Sequence, residues 1–206
     1  MTARSSGDHA DMGSPASVPV QFEAYAADCR LHGLVDLGDR RLTDVLNANP
    51  ELQLSDAQLE ALDDGHVVEV PELEVGREEL YAVVATGTRG DAARRVRTHT
   101  TRVAVELGVY HVEGHVHGTP ASDPLYLALR RAAWVPLTDA TISYRRGGED
   151  ARDEFETLLV NRTLASSFKE LEVDGVAVPW EAGRPEVPPA PRTVDLNGTL
   201  LDDAGI

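Results

Sequence analysis

The sequence predicts a mainly β protein with short helices, arranged as two tandem pseudo-repeat small β-barrel domains. Three observations predict it. Apolar residues make up 42% of the 206-residue chain and aromatics only 5%, which suits β-rich or mixed domains and excludes a wholly disordered chain. Apolar side chains alternate along several short runs, the period of a half-buried strand. The order of those runs then recurs about 81 residues further on, the mark of an internal duplication.

Residues 1–17 are Ser/Gly/Asp-rich and aperiodic, so burial cannot offset their ordering entropy and a flexible tail is expected. The first copy spans 18–88. Val18, Val20, Phe22 and Ala24 occupy even positions, and the apolar phase then flips to Cys29, Leu31, Gly33, Val35 and Leu37, which predicts two strands meeting at a bend. Leu42, Val45 and Leu46 form a short helical stripe, with Asp39 as the expected N-cap. A strand through Leu54 follows, then Val67–Val70 and Leu80–Thr86, with Asp63-Asp64-Gly65 as a turn. Five or so short strands suggest a small barrel.

Residues 89–98 read as an Arg-rich linker, and the second copy spans 99–180. There Val103, Val105, Leu107 and Val109 are odd, and the set after Gly108 is Tyr110, Val112, Gly114 and Val116. An offset of 81 carries Phe22 to Val103, Cys29 to Tyr110, Leu31 to Val112, Gly33 to Gly114 and Val35 to Val116. Past a turn that differs by two residues the offset is 83, carrying Leu42 to Leu125, Leu46 to Leu129, Leu54 to Leu137 and Asp56-Ala57 to Asp139-Ala140. Ser122 and Asp123 are the expected cap of the second helix, and Leu125, Ala128 and Leu129 its stripe. Strands are expected at Ala140–Tyr144 and Phe155–Asn161, separated by Arg146-Gly147-Gly148, and a hairpin over Leu171–Val178 ends at Pro179. Residues 181–206 form a Pro-rich linker and an acidic tail.

Thirty-five Asp and Glu against 19 Lys and Arg leave a net charge of -16, a surface that repels phosphate backbones and anionic lipid heads. No nucleic-acid and no membrane partner is expected. Cys29 is the single cysteine, so no intramolecular disulfide can form, which fits a reducing compartment. Without a signal-peptide core near its start or a long apolar run anywhere, the chain reads as a soluble cytoplasmic protein.

The sharpest cluster of chemistry-bearing residues is His111, Glu113, His115 and His117 in YHVEGHVHG. Residues two apart on a strand share a face, so three imidazoles and a carboxylate stand side by side, a set able to take a divalent metal. Against that, the alternate residues Tyr110, Val112 and Val116 claim the inner face, and the first copy offers Arg30, His32, Leu34 and Asp36 instead. A solvated polar face is the expectation, and a metal-dependent enzyme or metal-binding protein the alternative. His115-Val116-His117 resembles the first motif of cupin barrels, but the following GTPAS lacks the expected glutamate.

Neither G-x-S-x-G, nor a phosphate-binding G-x-x-x-x-G-K-[ST], nor a G-x-G-x-x-G after a strand is present. No catalytic set is assigned. Arg94, Arg95 and Arg97, flanked by Arg89 and Arg102, form a cation run where a small anion could dock, although the R-x-x-x-R spacing and its partner motif in PilZ-type cyclic-dinucleotide readers are missing. Asp56 and Asp139 sit at the same joint in both copies and read as turn formers rather than catalytic acids. Asn161-Arg162-Thr163 fits a glycosylation acceptor that a cytoplasmic chain leaves unmodified.

RLTDVLN (Arg41–Asn47) and VPLTDA (Val135–Ala140), the latter leading to LLVNRT, resemble motifs of a family of bacterial small β-barrel domains that carry both in one copy. Here they are split between the copies, with QLSDA and PLYLALR in the complementary places. The resemblance spans most of Cys29–Lys169; it implies a barrel and carries no established activity. The expectation is therefore a non-enzymatic protein-interaction or scaffold protein with an unidentified protein partner, the alternatives being the metal site and a receptor for a small anionic ligand.

Overall fold

A computed structural model describes residues 18–86, 98–119, 122–130, 133–171 and 193–194. In chain order the elements are β1 (Val20–Ala26), β2 (Cys29–Val35), α1 (Leu42–Ala48), β3 (Glu51–Ala61), β4 (Val67–Gly76), β5 (Leu80–Val84), β6 (His99–Leu107), β7 (Tyr110–Gly118), α2 (Pro124–Arg130), β8 (Trp134–Arg146), β9 (Glu149–Asn161), β10 (Ser167–Glu170) and β11 (Thr193–Val194). A 3₁₀ turn precedes β5 at Arg77–Glu79, and another precedes β10 at Arg162–Leu164. The protein is mainly β, as expected.

All strands join one antiparallel sheet in the order β11-β10-β6-β7-β8-β9-β5-β1-β2-β3-β4. Among the described residues the sheet does not close into the predicted barrels. β5 spends one edge on β1 and the other on β9, through Ala82↔Val160, Val83↔Leu159 and Val84↔Leu158. No edge of β5 is left for β4, so the first half cannot close on itself. β10 likewise pairs β6 on one side and β11 on the other.

Nor are there two self-contained interiors. One core cluster is built from the second half yet includes Tyr25, Leu62 and Ala82; the other is built from the first half yet includes Trp134 and Leu159. Each half lends side chains to the other, because β1, β5 and β9 at the junction bury residues on both faces.

The alternation read from the sequence survives at this level. Phe22 and Ala24, Leu31 and Val35, Val103, Val105 and Leu107, and Tyr110, Val112 and Val116 are all buried. Val18, ahead of β1, and Val109, in the β6–β7 turn after Gly108, are exceptions and lie exposed. Several strands are longer than expected. β4 runs on through Pro71, because an edge strand has no outer ladder to lose when an N–H is missing. Asp123 caps α2, accepting the amide hydrogens of Leu125 and Tyr126 at 3.0 and 3.2 Å. Asp39 does not cap α1, whose N-cap is Arg41 with no side-chain bond.

Asp56 and Asp139 lie within long strands rather than at strand ends, and both adopt left-handed backbone, φ 49° and 48°. They are bulges: the β2–β3 register shifts between His32 and Leu34, and the β7–β8 register between Glu113 and His115. Opposite them, a Cβ on Gly33 would lie 3.2 Å from Ser55 O, and one on Gly114 3.2 Å from Thr138 O. The bulge and the glycine let β3 and β8 fold tightly over their neighbours.

Candidate functional site

β7 presents His111, Glu113, His115 and His117 on its outer face, as the alternation requires. The imidazoles do not converge. His111 Nδ1 lies 2.9 Å from Glu106 Oε1 and its Nε2 3.4 Å from Glu113 Oε1, while Arg102 Nη2 donates to Glu113 Oε2 at 2.7 Å. His117 lies between Thr98 Oγ1 at 3.1 Å and Thr138 Oγ1 at 2.7 Å. His115 Nδ1 has Asp139 Oδ2 at 3.9 Å and no hydrogen-bond partner. Among the described residues no group of three His, Cys, Asp or Glu is placed to hold a metal.

This face is a strip of alternating charge. Burial works against the charge on His111, but the hydrogen bonds to Glu106 and Glu113 outweigh it and raise its pKa. Burial would raise Glu113, but the bonds from Arg102 and His111 overcome that and lower it. The cation run of Arg94, Arg95 and Arg97 lies outside the described residues, as do the two tails apart from β11 and the hairpin expected after Leu171.

A second cluster at the junction of the halves was not legible in the sequence. Tyr25 and Tyr144 both donate their hydroxyls to Asp153 Oδ2, at 2.9 and 2.7 Å. Arg30 Nη2 donates to Glu23 at 2.9 Å, and its Nη1 to Glu60 at 3.4 Å. The guanidinium carbon lies 5.5 Å from the Tyr25 ring centre, within cation–π range. Burial and then the Asp153 bond push the Tyr144 hydroxyl up to about 12, so it remains a donor. Tyr25, Tyr81, Tyr110 and Tyr144, four of the five tyrosines, meet here. Arg30 Nε is buried without a hydrogen-bond partner, but every charged member has an ionic or hydrogen-bond partner, so this cluster clasps β1, β2, β3, β8 and β9 together.

Asn161 belongs to the same structural class. It is the one buried polar side chain among the described residues. Its amide donates to Leu80 O at 3.0 Å, and its carbonyl accepts from Thr163 N at 3.1 Å. The asparagine of the acceptor-like motif is thus buried and bonded, although Thr163 is exposed.

What the sheet leaves open is its edges. β4 carries exposed Val67 and Val68, then Glu69, Pro71, Glu72 and Glu74, and its outer side is unpaired among the described residues. β10 is paired on its outer side by β11, through Phe168↔Val194 and Lys169↔Thr193. No helix is long and apolar enough to cross a membrane among the described residues. No family model matches the chain, and neither a curated protein nor a solved structure is significantly similar to it.

Proposed function

We propose that this chain is a non-enzymatic binding protein that holds another protein by β-strand addition at the β10 edge of its sheet. The observation that carries this reading is the seat of β11. Val83 of β5 stands between Ala24 and Leu159; Phe168 of β10 stands between Val105 and Val194. β11 therefore takes on β10 the place that β9 takes on β5, and this sheet already recruits strands by edge pairing. A two-residue strand contributes few ladder bonds, so a longer extended segment from a partner outcompetes it.

β4 at the opposite edge is guarded. Pro71 removes a donor, and Glu74 stands where β9 has the buried Leu159, since Leu54↔Leu73 and Leu137↔Leu158 put the two strands in matching register. Proline and charge on an edge are the usual defence against indiscriminate pairing, which leaves β10 as the recruiting edge.

The same matches support tandem duplication. Both halves run strand, strand, helix, strand, strand, 3₁₀ turn, strand, and both place aspartate at the bulge opposite glycine. We read them as copies of one ancestral unit fused through β5 and β9, which accords with the resemblance to small bacterial barrel domains, and we place the protein in the cytoplasm on its single thiol. His111 and His117 bond to separate groups, and His115 Nδ1 lies 3.9 Å from Asp139 without a hydrogen bond, so the three imidazoles give the metal alternative no support.

The test uses a chain ending at Leu171 and a peptide of residues 190–198. The peptide is expected to bind the truncated chain and slow amide exchange at Phe168 and Lys169, and a Val194→Pro peptide is not. A photo-crosslinker at position 169 is then expected to trap a partner from the native lysate more efficiently in the truncated chain than in the full one. Absence of peptide protection, or equal crosslinking in both chains, overturns the proposal.

A further inference from the structure

The two halves differ at one register-matched position. In β2, Cys29 stands four residues before Gly33 and pairs with Ala61; in β7, Tyr110 stands four residues before Gly114, its ring centre 5.7 Å from that of Tyr144. Where the second half buries two phenol rings, the first has a thiol and a methyl. A cavity of about 530 Å³ opens against Cys29, walled by Leu31, Leu59, Leu73, Tyr81 and Leu164.

The rim is of one sign. Asp28, Glu74, Glu78 and Glu79 are among the lining residues, and no Lys or Arg is. Glu79 spends one oxygen on the Gly76 amide at 3.0 Å, while Glu74 and Glu78 are exposed. Burial, then Asp28, raises the Cys29 thiol to about 11. It is therefore a protonated wall of the cavity, without thiolate chemistry.

We propose that this cavity binds a small molecule carrying one aromatic ring and a cationic ammonium group, the ring entering the space that Tyr110 fills in the other half and the cation meeting the carboxylate rim. Pocket size and lining suit such a ligand: apolar walls for the ring and a few polar groups at one end for orientation. The inference does not depend on strand addition, since β10 lies at the other end of the sheet.

The probe is 2-phenylethylammonium, followed through the methyl NMR signals of Leu31, Leu59 and Leu73. A dissociation constant of about 1 mM or tighter is expected, as befits a fragment of this size. The isosteric 2-phenylethanol is expected to bind about tenfold more weakly, and phenylacetate more weakly still. Cys29→Tyr should fill the space and abolish binding; if that variant does not fold, Glu74→Gln with Glu78→Gln should weaken the cation and leave 2-phenylethanol unchanged. No methyl shift with about 10 mM probe, equal affinity for all three compounds, or undiminished cation binding in a folded Cys29→Tyr or in the double variant overturns the proposal.

Discussion

His111 shows how a single residue's neighbours decide its chemistry. Three histidines and a glutamate on alternate positions look like a ligand set in the sequence, but cross-strand pairing gives three of them different partners, Glu106 for His111, Arg102 for Glu113 and Thr138 for His117, and leaves His115 Nδ1 without a hydrogen bond. The pKa of His111 is raised above 6.5. Its stabilising contribution is therefore complete below the unfolded imidazole value and lost as pH rises through the folded one. Glu113, lowered from 4.5, contributes above its unfolded value and loses that contribution as pH falls through the folded one. The pair is strongest in mildly acidic solution. An NMR titration of the His111 ring is expected to give a pKa above that of free imidazole side chains, and Glu106→Gln to bring it down; a midpoint at or below the free value contradicts the pairing.

Among elements, the bulged strands β3 and β8 bend the sheet. Their aspartates were legible as special because both halves of the chain carry one in a [ST]-D-A step, but a turn at a strand end and a bulge within a strand read alike there. Only the register shift separates them. Left-handed backbone costs a side chain about 1–2 kcal/mol, less for Asp than for branched residues. Asp139→Gly is thus expected to leave stability unchanged or raise it by up to about 1 kcal/mol, and Asp139→Val to lower it by about 1–2 kcal/mol. Urea denaturation of the two variants checks both signs. A carboxylate needed for fixing the bend would instead make the glycine variant the weaker.

For the whole molecule, the decisive contact is β5 with β9. It converts what the sequence presents as two units into one sheet whose cores exchange Tyr25, Leu62 and Ala82 for Trp134 and Leu159. Neither half buries its apolar residues alone. Residues 18–86 expressed by themselves are expected to show no cooperative thermal transition, whereas the intact chain melts in a single one. Two fragments cut between residues 86 and 98 are expected to reassociate on mixing. Independent cooperative unfolding of an isolated half contradicts the shared interior.

Alternation of apolar residues fixed, from the sequence alone, which faces of β1, β2, β6 and β7 turn inward, and the offsets from Phe22 to Val103 and from Leu54 to Leu137 aligned positions that pair in matching register. Such information is local, carried by the two-residue period of a strand. Closure or opening of the sheet, the clasp of Arg30 and Asp153, and the space beside Cys29 are not local. They depend on which strand wins the second edge of β5, a competition between segments far apart in the chain, and only the tertiary structure decides it.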